Sequence, residues 1–312
     1  MRVKTSKEPV DLSTSIGSVT LPNPVMTASG TAGHGVELAP YLDLAALGAV
    51  VVKSLSAEPC DGNPPPRLHE TPAGMLNSVG LQNPGVEGWL EHDLPGLEAS
   101  GARVVASIWG FTVEAYAKAA AMLADAPASV VAVEVNLSCP NVEHRRDMFA
   151  HSPAGTYDAV AAAASCGRPR WAKLSPNVTD LTEIAGAALD AGAEALTLIN
   201  TVMGMAIDPE RRRPRLGAGG GGLSGAAIRP VAVRAVYDCR QAFPDASIVG
   251  VGGVTTGEDA VELLLAGADA VQVGTATFFE PRAPALVLQD LERWCRRHRV
   301  RSIGELRGAA HD

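Results

Sequence analysis

Cysteine is scarce and scattered: Cys60, Cys139, Cys166, Cys239 and Cys295 form no Cys-x-x-Cys pair. Such spacing encodes neither a disulfide framework nor a zinc or iron–sulfur site, so no metal is expected and any cysteine with a chemical role acts alone. Basic charge is also short, with 26 Lys+Arg against 34 Asp+Glu and a net charge of −8. A phosphate backbone is bound by a basic face that displaces counterions, so no nucleic-acid partner is expected. The short runs Arg211–Arg213 and Arg296–Arg299 read as solvated or subunit-contact patches. No apolar stretch is long: Leu44–Val52 falls far short of a bilayer span. Met1–Ser15 is basic but is followed by no apolar segment, which argues against a secretory leader. The expectation is a cytoplasmic protein with no membrane contact. No glycine-rich stretch is followed by Gly-Lys-Ser/Thr, and Gly250–Val254 lacks the Gly-x-Gly-x-x-Gly pattern. A nicotinamide cofactor is therefore not expected on this chain itself.

What the sequence does have is a set of short, continuously apolar runs, the signature of parallel strands covered on both faces. Eight are found: Val25–Ala28, Val50–Lys53, Val104–Ser107, Val131–Asn136, Arg170–Leu174, Ala195–Ile199, Ser247–Gly250 and Ala270–Val273. Segments of helical composition lie between most of them, at Val113–Ala126, Asp158–Ser165, Leu181–Ala191, Ala227–Phe243 and Gly257–Ala266. Strand and helix alternating eight times is an α/β fold, a (β/α)₈ TIM barrel, here one domain over 1–312 with a short N-terminal extension of about residues 1–20. A Gly-Ala pair precedes four strands, at Gly48, Gly101, Gly192 and Gly267, where glycine can take the left-handed conformation that ends a helix.

In such a barrel chemistry sits on the loops that follow the carboxyl ends of the strands. Strand one is followed by Ala28–Gly35, strand two by Lys53-Ser54 and a long loop to Asn77–Gly85. Strands four, five and six run into Asn136–Asn141, Lys173–Asn177 and Ile199–Thr201. Two lysines, several asparagines and Cys139 thus converge on one mouth, suited to a flat polar ligand. Gly252-Gly253 and Gly274-Thr275 end strands seven and eight, with Thr255–Asp259 opening a helix between them. Backbone amides at this position form the usual phosphate site of a barrel, implying a phosphorylated cofactor or substrate.

These ordered motifs, ASGT, NSVGLQNPG, NLSCPN, KLSPN, INTVMGM, GGLSG, GVGG and VGTA, together resemble class 1 dihydroorotate dehydrogenases, from about Leu21 to Phe279. Gly80–Gly85 is most like the B type, whose FMN-containing catalytic subunit works with an FAD and 2Fe–2S electron-transfer subunit around a homodimer core; the A type usually reads Gly-Leu-Pro-Asn there. The resemblance implies oxidation of (S)-dihydroorotate to orotate in pyrimidine biosynthesis, with electrons passed through the partner to NAD. It places FMN on Ser29, Lys53, Ser54, Ser107, Asn136, Lys173, Ile199, Gly225, Gly252, Gly253, Gly274 and Thr275. It places the substrate on Lys53, Asn77, Ser78, Val79, Gly80, Leu81, Asn136, Asn141, Asn200 and Thr201, an amide-rich set matched to a ring of alternating N–H and C=O groups plus one carboxylate. Cys139 corresponds to the base that takes the C5 proton while the C6 hydride passes to flavin N5. With a free thiol pKa of about 8.5, that step accelerates as pH rises. Lys173 corresponds to the lysine beside the flavin edge where negative charge accumulates, and Lys53 to the countercharge of the substrate carboxylate.

Two departures stand out. Strand three ends Ala106-Ser107, where the family often has an asparagine; serine reaches less far. The loop 142–151 carries His144, Arg145 and Arg146 where the B type typically has glycines that permit a lid to move. Both leave room for an FMN barrel acting on another cyclic amide, or passing electrons to fumarate or a free acceptor. The residues alone also allow a Schiff-base lyase barrel using Lys173 or Lys53. His34 reads as a loop residue, and Cys60, Cys166, Cys239 and Cys295 as structural.

Overall fold

The computed structural model describes residues 9–138 and 148–311. Eight parallel strands hydrogen-bond in the order Val25–Thr27, Ala270–Val273, Ser247–Val251, Ala195–Leu198, Arg170–Leu174, Val130–Asn136, Val104–Ile108 and Val50–Val51. All eight apolar runs are therefore strands of one sheet, and the sheet curls until its two outermost strands meet. A bridge joins Met26 to Ala49 there. The Thr27 hydroxyl supplements the seam, accepting from the Val51 amide at 2.8 Å and donating to the Val51 carbonyl at 3.2 Å.

Alternation along each strand sorts its residues into two cores, because successive side chains leave opposite faces. Val104, Ala106, Ile108, Val133, Val135, Ala172, Leu174, Leu196 and Leu198 pack outward with the helices. Met26, Ala49, Val51, Val105, Ala132, Trp171, Ala195, Val249 and Ala270 fill the lower barrel. The N-terminal hairpin, Thr14–Ile16 paired with Val19–Leu21, closes that end by adding Ile16, Val19 and Leu21 to the same cluster.

Side-chain caps start the helices that follow four strands. Thr112, Ser152, Asp180 and Thr256 each accept hydrogen bonds from first-turn amides of the helices Val113–Ala121, Pro153–Ala162, Leu181–Asp190 and Gly257–Ala266. Satisfying these otherwise orphaned donors is what fixes each start. The helix placed at Asp158–Ser165 begins earlier, at Pro153, where Ser152 and Pro153 supply a cap and a first-turn proline. The Val113 helix ends at Ala121, and Ala226–Ile228 is a 3₁₀ turn leading into the helix Arg229–Ala242. Composition gave no sign of the helices Gly85–His92, Leu94–Ala99 and Ala283–His298.

The Gly-Ala device holds in three places only. Gly101, Gly192 and Gly267 have positive φ, whereas Gly48 does not. Gly48 is small for another reason: a Cβ there would stand 2.4 Å from the Asn23 carbonyl oxygen.

A second sheet, also unforeseen, crowns the mouth: Val202–Gly204, Gly221–Ser224, Gly74–Asn77 and Leu68–Thr71 pair antiparallel in that order. No helix of the described residues is long and apolar enough to cross a membrane.

Candidate active site

Interior side chains change character from bottom to top of the barrel. Above the apolar lower layer lie Glu134, Lys173, Thr197 and Gln272, all buried. Above these opens a cavity of about 360 Å³ at the carboxyl ends of the strands, roofed by the crowning sheet.

The cavity wall gathers residues from every part of the chain. Ser29, Lys53, Ser54, Asn136, Lys173, Ile199, Gly225, Gly252, Gly253, Gly274 and Thr275 all line it, as do Asn77, Ser78, Val79, Gly80, Leu81, Asn200 and Thr201. Ser107 does not. It is fully buried behind the wall, where its hydroxyl pairs with Ser54 Oγ at 2.9 Å, and Asn136 Nδ2 donates to that same Ser54 oxygen at 3.2 Å. A serine at the end of strand three thus supports the wall through Ser54. Cys139, Asn141, His144, Arg145 and Arg146 lie outside the described residues.

The polar side chains are held by one another. Asn200 Nδ2 donates to Asn136 Oδ1 at 3.1 Å, and Asn136 Oδ1 also accepts from the Ser138 amide at 3.2 Å. Asn77 Nδ2 donates to the Gly222 carbonyl at 3.3 Å, adding a side-chain bond between two paired strands of the crowning sheet. Close approach explains the glycines there: a Cβ on Gly222 would stand 2.1 Å from Thr201 Oγ1. Asn177, which the sequence reading did not single out, donates to the Thr201 carbonyl at 3.0 Å and accepts from the Met203 amide at 2.8 Å, so it fixes the exit of strand six.

Lys173 projects upward from strand five with its ammonium 3.0 Å from Ser29 Oγ, 3.2 Å from Gln272 Oε1 and 3.5 Å from Glu134 Oε1. Glu134 and Gln272 were also missed, although a glutamate inside an otherwise apolar strand was the available signal, because a buried charge requires a partner.

The cavity end at strands seven and eight differs in detail from the sequence reading. The amides of Thr255 and Thr256 are engaged by the Asp259 carboxylate at 2.9 Å each, and Gly257 packs against the backbone of Asp290 and Leu291. The cavity is lined there by Thr255 and by the preceding glycines, Gly252 and Gly253, both at positive φ, together with Gly225, Gly274 and Thr275. Close packing behind the wall explains these glycines, because a Cβ on Gly253 would meet Arg229 Cβ at 2.6 Å and one on Gly225 the Gly74 Cα at 2.7 Å; the cavity there is faced by backbone without side chains. Ser138 adds to the wall a buried hydroxyl with no hydrogen-bond partner among the described residues. Glycine backbone at one end, a buried ammonium in the middle and an amide cluster at the other fit a flat ring carrying a phosphate tail.

His34 stands beside the cavity rather than in it. Its carbonyl accepts from Trp89 Nε1 at 2.7 Å, and burial holds the imidazole below its ordinary pKa despite the nearby Asp93 and Glu37 carboxylates. Cys166, Cys239 and Cys295 are buried elsewhere, with burial pushing the Cys239 thiol up to about 12 and that of Cys295 to about 11. Neither supplies a thiolate near neutral pH.

Comparison with known proteins shows the chain's family and fold. The family model for dihydroorotate dehydrogenase matches residues 11–294. A chain from Desulforudis audaxviator named dihydroorotate dehydrogenase B (NAD(+)), catalytic subunit, is 52% identical over 312 residues, covering 100% of this chain and 99% of that one. One of the same name from Geobacter sp. strain M21 is 47% identical, covering 96% and 98%. A chain from Solibacter usitatus, whose name carries the description dihydroorotate dehydrogenase A (fumarate), is 47% identical, covering 95% and 97%. Among solved structures, DHODH from Eimeria tenella in complex with ferulenol matches with a TM-score of 0.78 at 22% identity, covering 100% of this chain and 91% of that one.

Proposed function

The chain belongs to the dihydroorotate dehydrogenase family of flavoenzymes, and from that premise we propose that it is a type B catalytic subunit: it carries FMN, oxidises (S)-dihydroorotate to orotate, and passes the electrons to NAD through a separate FAD and 2Fe–2S subunit. The observation that carries this reading is the convergence of Lys53, Asn77, Asn136, Lys173, Asn200 and Thr201 on one cavity with a glycine cradle at its far end. The type B relatives, similar over their whole length, support the partner subunit.

FMN, when bound, supplies the two-electron acceptor. Gly252, Gly253, Gly274 and Thr275 would hold its phosphate on backbone groups, with Gly225 leaving room beside them. The Lys173 ammonium would stand by the ring edge that becomes anionic on reduction, a fixed cation already in place when the charge develops. Ser54 and Asn136, braced by Ser107, would meet the ring from the side of strands two and four.

Lys53 would pair with the substrate carboxylate, while Asn77, Asn136 and Asn200 present both donors and acceptors to its alternating N–H and C=O groups. The Asn136–Asn200 hydrogen bond presets two of these amides, so little rotamer freedom is lost on binding. Cys139 Sγ, as thiolate, would take the C5 proton. The crowning sheet would exclude water above the reacting carbons.

The test is formation of orotate, followed by its ultraviolet absorbance, when the FMN-reconstituted chain is given L-dihydroorotate and a dye acceptor. No orotate from a flavin-loaded chain would contradict the substrate assignment. A second reading, electron transfer from the chain alone to fumarate, is favoured by the Solibacter usitatus relative. Fumarate in place of the dye separates the two: turnover with fumarate supports the second reading, and none, alongside turnover with the dye, supports the first.

A further inference from the structure

Beneath the cavity lies a charged group that the roles above do not use. Glu134 is fully buried inside the barrel on strand four. Its Oε2 accepts from Gln272 Nε2 at 2.8 Å, and its Oε1 accepts no hydrogen bond from the described residues but lies 3.5 Å from Lys173 Nζ. Gln272 clamps both members of the pair, because its Oε1 accepts from the same ammonium at 3.2 Å. Ser29 Oγ completes the set at 3.0 Å.

Such a pair is costly to bury, and well-packed apolar residues of similar volume often serve stability as well or better. A carboxylate here changes the electrostatics of the cavity wall. Lys173 lines the cavity whereas Glu134 does not, so the ammonium faces a bound ring directly and the carboxylate acts from behind it. At these separations, in a medium less polarizable than water, the carboxylate offsets much of the ammonium's field.

We propose that Glu134 is a positioning residue that pins the Lys173 ammonium against the flavin and offsets its charge, so that the ion pair rather than the lysine alone sets how readily the bound flavin accepts electrons. The inference rests on the reading of Lys173 as the lysine beside the flavin. Removing the Glu134 charge while keeping its shape leaves the ammonium uncompensated and favours the reduced, anionic ring. Restoring the charge with a shorter side chain returns the wild-type behaviour.

The test is the midpoint potential of bound FMN in the full-length chain at pH 6, far below the ordinary lysine range, for wild type, Glu134→Gln and Glu134→Asp, with FMN affinity measured by fluorescence. Glu134→Gln is expected to hold FMN within about threefold of wild type and to favour reduction about tenfold, a rise of about 30 mV for a two-electron couple. Glu134→Asp is expected within about twofold of wild type. A Glu134→Gln potential equal to or below wild type overturns the proposal. Should Glu134→Gln not fold, Lys173→Met is compared with Lys173→Met/Glu134→Gln, which leaves no unpaired charge in the barrel. The double variant should favour reduction about tenfold more than the single, and equal potentials overturn the proposal. A wild-type chain that takes up no FMN overturns the flavin reading and this inference with it, whereas normal FMN binding with unchanged potentials overturns this inference alone.

Discussion

Lys53 and Lys173 both stand at the ends of parallel strands, yet their surroundings separate their roles. Lys173 is buried with a carboxylate, a carboxamide and a hydroxyl around its ammonium, so its charge is fixed in place before any ligand arrives. Lys53 lies half-buried on the wall, where it would meet a substrate carboxylate. Lys53→Met removes a charged hydrogen bond of about 2–3 kcal/mol. Steady-state kinetics of the FMN-saturated variant should show kcat/KM for dihydroorotate falling about thirty- to hundred-and-fiftyfold. For Cys139→Ala, rapid-reaction kinetics should show flavin reduction by dihydroorotate slowed by at least about a hundredfold, while orotate binds as in wild type. Ser107→Ala removes the brace behind Ser54 and Asn136 and should weaken FMN binding by about 1 kcal/mol, roughly fivefold, in a fluorescence titration. Of these residues Lys53, Lys173, Asn136, Asn200 and Thr201 were legible as mouth residues because they end or follow apolar runs, and Asn77 through the NSVGLQNPG motif that carries the family resemblance. Ser107 was legible too, but as a wall residue, since sequence shows which face a strand residue takes and not how far its side chain reaches. Glu134 and Gln272 were hidden because they lie within strands, and only the closure of the barrel brings strands four, five and eight around one point.

At the scale of elements, the barrel strands were readable because parallel strands covered on both faces must be short and apolar. The crowning sheet was not, since its strands are three or four residues of mixed polarity and their pairing spans from Leu68 to Ser224. The helix Gly257–Ala266 shows how one cap serves both fold and site. Asp259 closes a capping box with Thr256, accepts from Thr255 and pairs with Arg229. Burial works to raise its pKa, but the Thr255 and Thr256 hydrogen bonds and the Arg229 guanidinium outweigh it and hold the carboxyl below its ordinary value. A carboxyl with a lowered folded pKa stabilises above its unfolded value and loses that contribution as pH falls through the folded one. Asp259→Asn should therefore lower the melting temperature at pH 7, by about 2 kcal/mol of stability. The gap from wild type should narrow as pH drops below about 4, and thermal scans at pH 7 and pH 3.5 check both statements.

The whole molecule is a barrel graded from an apolar floor, through a buried ion pair, to a polar mouth under a second sheet. On the proposed reading, one cavity so graded would take a phosphate tail, a ring and a small anionic substrate. The chain carries five scattered cysteines and no dinucleotide fingerprint, so on the proposed reading transfer of electrons to NAD would fall to a partner subunit. Purified chain with dihydroorotate and NAD should turn over only when that subunit is added. The central claim is tested most directly by the visible spectrum of the FMN-loaded chain under anaerobic conditions, before and after L-dihydroorotate. The account predicts loss of the oxidised-flavin band in wild type and its persistence in Cys139→Ala on the same timescale. A yellow wild-type chain that dihydroorotate leaves unbleached would contradict it.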